Sequence, residues 1–218
     1  MKKSRLALVI ACFLFGYANL SAKQYELKSP NGEINLLVDV TDKIQYKIVY
    51  NNDVLLDNCY LQMTLSNAVL GQNPSVKSAK KSKYSGTINP HVSLKFSTVK
   101  NEYNQLRLDF KGNYAVEFRA FDEGVAYRFV TNFPNEVEVM SEDFAIGFPI
   151  EAEKINENFS IGFPADYLAH MQQPHSFKTA YEEVYTHVRT KDFVNEEQKI
   201  CVLPVLLDRK STRLNSSH

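Results

Sequence analysis

The 218-residue sequence contains no tryptophan, three cysteines, and only eight glycines and eight prolines. It has no charge imbalance either, with 25 Lys and Arg against 25 Asp and Glu. Without a basic excess there is no electrostatic footprint for nucleic acid or for an anionic membrane surface. There is no glycine-rich phosphate loop, no Cys-x-x-Cys pair and no His-Glu-x-x-His segment, so the usual sequence marks of nucleotide, thiol-pair and zinc-hydrolase chemistry are missing. No repeat of fixed period occurs, and before Ala180 no segment holds amphipathic helical spacing over three turns. Helical and repeat architectures are thereby set aside.

The one long apolar run is N-terminal. Lys2, Lys3 and Arg5 precede Leu6 to Leu14, and Ser21-Ala22 offers small residues for cleavage before Lys23-Gln24. Gly16, Asn19 and Ser21 interrupt the run before it reaches the ~20 apolar residues of a spanning helix. Residues 1–22 are therefore expected to be a secretory signal peptide. The mature chain keeps Cys59 and Cys201, and export leaves open whether they pair. At the other end, residues 208–218 (Asp-Arg-Lys-Ser-Thr-Arg-Leu-Asn-Ser-Ser-His) have neither strand nor helix periodicity. They read as the translation of a common short-read sequencing adapter, so Arg209, Lys210 and Arg213 are not taken as a basic patch. On that reading the natural protein continues after Leu207.

What remains, residues 23–207, is hydrophobic enough for a core and alternates with period two. Ile34, Leu36, Val38 and Val40 mark one strand, and Ile44, Tyr46, Ile48 and Tyr50 the next. Asn51-Asn52-Asp53 supplies a turn, and Leu61, Met63 and Leu65 alternate beyond it. The polar, Lys- and Ser-rich stretch from Gly71 to Pro90 reads as a long loop or an irregular edge. Val92, Leu94 and Phe96 resume the strand pattern, followed by Leu106, Leu108 and Phe110. Tyr114 to Val130 is the clearest unit, a hairpin with Val116, Phe118 and Ala120 on one strand and Val125, Tyr127 and Phe129 on the other. Asp122-Glu123-Gly124 lies between them, with Gly124 expected to use its freedom at positive φ. Arg119 and Arg128 fall on the opposite face near Glu117, where a solvated cross-strand charge ladder is favoured over a sugar-binding or interdomain face. These segments predict an all-β fold of antiparallel strands.

Several segments are specific in wording as well as pattern: Ser29-Pro-Asn-Gly-Glu-Ile34, Tyr46-Lys-Ile-Val-Tyr50, Leu70-Gly71, Asn101-Glu-Tyr-Asn-Gln-Leu106, Phe118-Arg-Ala-Phe-Asp-Glu-Gly-Val-Ala-Tyr-Arg-Phe129, Pro164-Ala-Asp-Tyr167 and Leu203-Pro-Val-Leu-Leu207. In this order they resemble the N-terminal domain of glycoside hydrolase family 97 over residues 24–207. The resemblance implies a β-super-sandwich of the galactose-mutarotase-like type, here incomplete at its C-terminal end. It also implies a parent enzyme, exported to the periplasm, that hydrolyses α-linked oligosaccharides as an α-glucosidase or α-galactosidase. Its two catalytic carboxyl groups would lie on a following (β/α)₈ barrel that this chain lacks, so no catalytic residue is assigned here and the fragment alone is expected to be inactive. The alternative is a free-standing exported carbohydrate-binding or adhesin-like module.

The same resemblance implies a calcium ion at the active site, ligated in part by a glutamate of the N-terminal domain. Glu182, followed three positions on by Tyr185 and lying downstream of Pro164-Ala-Asp-Tyr167, fits that position. A carboxylate is the ligand type a hard cation takes. A longer segment here, Leu168 to Ala180, loosens the register and makes Glu183 the competitor. His170, His175 and His187 match no standard zinc spacing and read as exposed loop histidines.

Overall fold

In a computed structural model of the chain, the described residues are 23–92, 95–156, 159–172, 184–192 and 201–208. The leader, the tail beyond Asp208, and the segment carrying His175, Glu182 and Glu183 lie outside them. The chain divides into two compact units, one ending at Ile146 and the other beginning at Gly147. The described residues are all-β and antiparallel, and they contain no helix long and apolar enough to cross a membrane.

The first unit is a sandwich of two sheets. β1 (Lys23–Lys28), β2 (Ile34–Val40), β3 (Ile44–Tyr50) and β4 (Asp53–Leu65) form a meander, with the short β5 (Val69–Leu70) paired to β4. The second sheet is also a meander: β6 (Val76–Ile88), β7 (Val99–Phe110), β8 (Tyr114–Phe121) and β9 (Gly124–Thr131). The chain then returns to the first sheet, where β10 (Val139–Ala145) pairs with β4.

Period-two alternation sends one side of each strand inward. Leu36 and Val38 of β2, Ile44 of β3 and Cys59 and Leu61 of β4 are fully buried. Leu106 and Leu108 of β7 and Val116, Phe118 and Ala120 of β8 complete the same cluster from the other sheet. The turns are made by the residues that chemistry favours. Asn51 and Asn52 both take positive φ, 46° and 70°, in the β3–β4 hairpin, as a turn matched to the strand twist requires. Lys111-Gly112-Asn113 joins β7 to β8, with Gly112 at φ 96° and Asn113 at 59°.

Three local expectations are resolved. Of the two readings of Gly71 to Pro90, the edge holds for most of it, because Val76–Ile88 pairs with β7 along its length. Its side chains are almost all exposed, so no apolar alternation marks it, and the backbone ladder to β7 defines it instead. As an edge strand it gains from Lys77, Lys80, Lys81 and Lys83, charges that discourage pairing with another chain. Val92 and Phe96 do not resume a strand: they are 70% and 66% exposed, and β7 begins at Val99. Leu94, between them, lies outside the described residues. Gly124 is not among the positive-φ glycines. It is the first residue of β9, paired with Phe121, so Asp122-Glu123 alone make the turn.

Gly71 is where glycine is required. Its φ is +87°, and a β-carbon there would lie 2.6 Å from the Leu61 carbonyl oxygen. Its N–H donates to the Tyr114 hydroxyl at 3.2 Å, tying β5 to the second sheet. Gly71→Ala is expected to cost about 1–3 kcal/mol from the left-handed backbone alone, with more from the clash. Gly124→Ala, which meets open space, is expected to be close to neutral. Urea midpoints of the two variants check the contrast.

In the second unit, β11 (Ile150–Asn156) and β12 (Phe159–Pro164) form a hairpin. β13 (Leu168–Gln172) lies between β14 (Tyr185–Arg189) and β15 (Val202–Asp208). Ala169 and Met171 of β13 are buried. Cys59 is buried in the first unit, and Cys201 directly precedes β15 in the second.

Candidate functional site

The Pro164-Ala-Asp-Tyr167 stretch leads directly into β13 and is firmly held. Ala165 and Tyr167 are buried, and the Tyr167 ring meets Phe148 at 4.7 Å. The Ala165 N–H donates to the Pro149 carbonyl at 2.8 Å. Tyr167 N–H donates to Thr190 Oγ1 at 3.0 Å, and Thr190 N–H returns a bond to the Tyr167 carbonyl at 2.9 Å. Asp166 faces Lys191 at 3.5 Å and Arg189 at 3.8 Å. This motif thus ties β13 to β14 at the Leu168–Arg189 end of the pair, whereas residues 173–183 connect the two strands at the Gln172–Tyr185 end. Tyr185, the sequence partner of Glu182, is the first residue of β14 and pairs with Gln172. Glu182 itself lies outside the described residues.

Two of the three histidines are brought together. His170 of β13 and His187 of β14 are register partners, and their Nδ1 atoms are 2.6 Å apart. Both sit in strands, not in the loops expected of them, because the ladder runs from Leu168↔Arg189 to Gln172↔Tyr185. His175 lies outside the described residues.

The charged face of the second sheet is more than a solvated ladder. Glu117 is only 6% exposed. It accepts from Arg107 Nη1 at 2.7 Å and from Arg128 Nε at 2.7 Å. Arg107 Nε also donates to Asp109 at 2.8 Å, and Asp109 accepts from Ser78 Oγ at 2.7 Å. Burial pushes the Glu117 carboxyl up, but the bonds from the two guanidinium groups outweigh it and hold the carboxyl below the usual carboxylate range. Bonding to Glu117, then Asp109, pushes the Arg107 guanidinium up. Arg119 takes no part in this network. Its Nε donates to Gln105 at 2.9 Å, and its guanidinium lies 4.3 Å from the centre of the Tyr103 ring. Tyr103 also stacks on Tyr84 and meets Phe121, each at 5.2 Å. Sequence reasoning placed Arg119, Arg128 and Glu117 on one face but missed Arg107 and Asp109. The available signal was that both are polar positions alternating with Leu106, Leu108 and Phe110.

The hairpin turn after β8 borders a cleft of about 310 Å³ lined by Phe121 to Ala126 together with Lys100 and Glu102. Its charges are largely satisfied internally. Lys100 meets Glu102 at 2.7 Å, Ser85 Oγ donates to Glu102 at 2.9 Å, and the Asn31 N–H donates to Asp122 at 2.8 Å. The last bond links the Ser29–Ile34 turn to the Phe118–Phe129 hairpin, so two of the most specific sequence segments meet in space.

Comparison with known proteins places these features in a family. The glycosyl-hydrolase 97 N-terminal domain family matches residues 27–216. The matched span extends into the tail read above as foreign. A retaining alpha-galactosidase of Bacteroides thetaiotaomicron is 29% identical over 209 residues, which cover 95% of this chain and 30% of that protein. The chain therefore spans less than a third of that relative's length. Among solved structures, a beta-arabinopyranosidase aligns over 75% of this chain and 26% of its own, with a TM-score of 0.61 and 22% identity. A glycoside hydrolase family 97 enzyme from Pseudoalteromonas sp. strain K8, in complex with acarbose, aligns over 75% of this chain and 24% of its own, with a TM-score of 0.55 and 18% identity. At these identities the structures speak for the fold.

Proposed function

Since this chain belongs to the glycosyl-hydrolase 97 N-terminal family, we propose that it is the accessory module of an exported, calcium-dependent enzyme that hydrolyses α-linked oligosaccharides. The observation that carries this reading is the family match along nearly the whole chain, joined to the small share of the alpha-galactosidase that the chain covers. Among the described residues the buried carboxylate is Glu117; it is tied to two guanidinium groups, and a carboxyl group held ionised in that way is a poor proton donor at neutral pH.

In this reading the module supplies one calcium ligand, the Glu182 carboxylate, from the segment between β13 and β14. The braced Pro164–Tyr167 stretch holds those two strands together at the end away from that segment. The described residues assemble no group of three or more His, Cys, Asp or Glu side chains, so the remaining oxygen ligands would come from elsewhere in the intact protein. When bound, calcium would supply positive charge near the scissile bond. What this chain does is orient one carboxylate toward it.

The test is to extend the reading frame past Leu207 and assay the longer protein on p-nitrophenyl α-galactoside and α-glucoside. Hydrolysis abolished by a chelator and restored by calcium is expected, with the 218-residue chain alone inactive. A stop codon directly after Leu207 would instead support the free-standing module. In the longer protein, Glu182→Gln is expected to weaken calcium binding by about 10-fold or more, as loss of a metal ligand does. Glu183→Gln is expected to leave it unchanged. Calcium titrations of initial rates separate the two, and equal effects would overturn the assignment. N-terminal sequencing of the periplasmic form, beginning at Lys23, checks the leader.

A further inference from the structure

We propose that His170 and His187 form a cross-strand, two-imidazole site for a borderline divalent transition cation, with Cu²⁺ preferred over Ni²⁺ and Zn²⁺. It is independent of the calcium reading, because calcium takes oxygen ligands and imidazole suits the later first-row metals.

The geometry carries it. The two rings sit opposite each other in the β13–β14 ladder, with two paired residues on either side. The buried Ala169 and Met171 anchor β13 beneath them. The ring centres are 4.6 Å apart and the planes cross at 71°, so the two Nδ1 atoms face each other, and a turn of the rings about their Cβ–Cγ bonds is what aims both lone pairs at one cation. At 2.6 Å the two Nδ1 atoms share a single hydrogen bond, in which one ring donates and the other accepts. A cation entering there takes both lone pairs. The donating ring becomes a ligand by moving its proton from Nδ1 to its own Nε2, so the neutral pair loses no proton. Both rings reach solvent, which gives the cation a path in and water for its remaining positions.

Metal choice follows from ligand chemistry: at a nitrogen site affinity rises along the first-row divalent ions to Cu²⁺ and falls again at Zn²⁺. Among the described residues no third metal-ligating side chain joins the pair, so two protein ligands set the affinity.

The experiment is calorimetric titration of the 218-residue chain with NiCl₂, CuCl₂ and ZnCl₂, compared with His170→Gln, His187→Gln and, as a control at an exposed histidine elsewhere, His91→Gln. One site binding Cu²⁺ more tightly than Ni²⁺ or Zn²⁺ is expected. Either substitution in the pair should weaken it about 10-fold or more, and His91→Gln should leave it unchanged. A pulsed-EPR spectrum of the Cu²⁺-loaded wild-type chain, which needs no variant, should show two equivalent imidazole nitrogens. Binding unaffected by both pair substitutions, or a spectrum with one imidazole, overturns the proposal. Excess CaCl₂ should not displace the metal, and displacement would count against a nitrogen site.

Discussion

Phe118→Ala is expected to destabilise the first unit by about 3–5 kcal/mol, the usual cost of removing a buried phenylalanine ring. Phe118 is 1% exposed and lies in the layer shared by the two sheets. It also lines a cleft of about 340 Å³ with Tyr46, Ile48, Leu56, Tyr127 and Phe144. Truncation would join new empty volume to that space, and the strands that frame it are fixed by ladders on both sides. The neighbouring rings cannot move in to refill it without breaking their own contacts, among them the Tyr127–Phe144 stack at 5.8 Å. The loss should therefore fall in the upper part of the range. Phe96→Ala is the matched control, since that ring is 66% exposed, and a change within about 0.5 kcal/mol is expected. Chemical denaturation followed by circular dichroism compares the two, and similar midpoints for both variants would overturn the placement of Phe118 in the core.

Glu117→Gln is the second large effect. Removing one partner of a buried ion pair typically costs about 3–5 kcal/mol. Here the Arg128 side chain is 61% exposed and that of Arg107 27%, so water relieves part of the loss and about 2–3 kcal/mol is expected. The variant leaves two guanidinium groups facing one neutral amide, with only Asp109 to balance them. The pH dependence has a definite sign. The folded carboxyl group titrates below its ordinary range, so its stabilisation is fully present above the unfolded value of about 4.3 and is lost as pH falls through the folded value. The gap in melting temperature between wild type and Glu117→Gln should thus be widest near neutral pH and close in acid. A gap that widened in acid would mean that Glu117 is not held ionised by its two arginines.

The architecture was legible where each strand carries its own alternation. Leu36 and Val38, Leu106 and Leu108, and Val116 and Phe118 announce their buried faces locally, because a strand with one wet and one dry side must alternate. Val76–Ile88 stayed undecided between loop and edge for the same reason: both its faces are wet, so its sequence has nothing to alternate. The error at Val92 and Phe96 is the converse, apolar residues in sequence spacing but with no opposing sheet to bury them. Gly124 was assigned a positive φ from its type alone, while the turn needed only Asp122 and Glu123. At the candidate site, the Pro164–Tyr167 stretch and the glutamate downstream were visible as wording, as were the family and its N-terminal placement.

The sequence by itself determined the strand class, the inward faces and the family, all of which depend on neighbours one or two residues away or on word order along the chain. Only the tertiary structure decided which residues meet across strands. Arg107 reaches Glu117, ten residues on. His170 reaches His187, seventeen residues on, and Asn31 binds Asp122 across ninety-one. The first two depend on register, since a shift of one residue would turn Arg107, Glu117, His170 or His187 to the opposite face, and the third on two turns being brought together by the packing of the sheets. Register is fixed by the burial of the whole sheet and by its turns together, so no single segment can announce it.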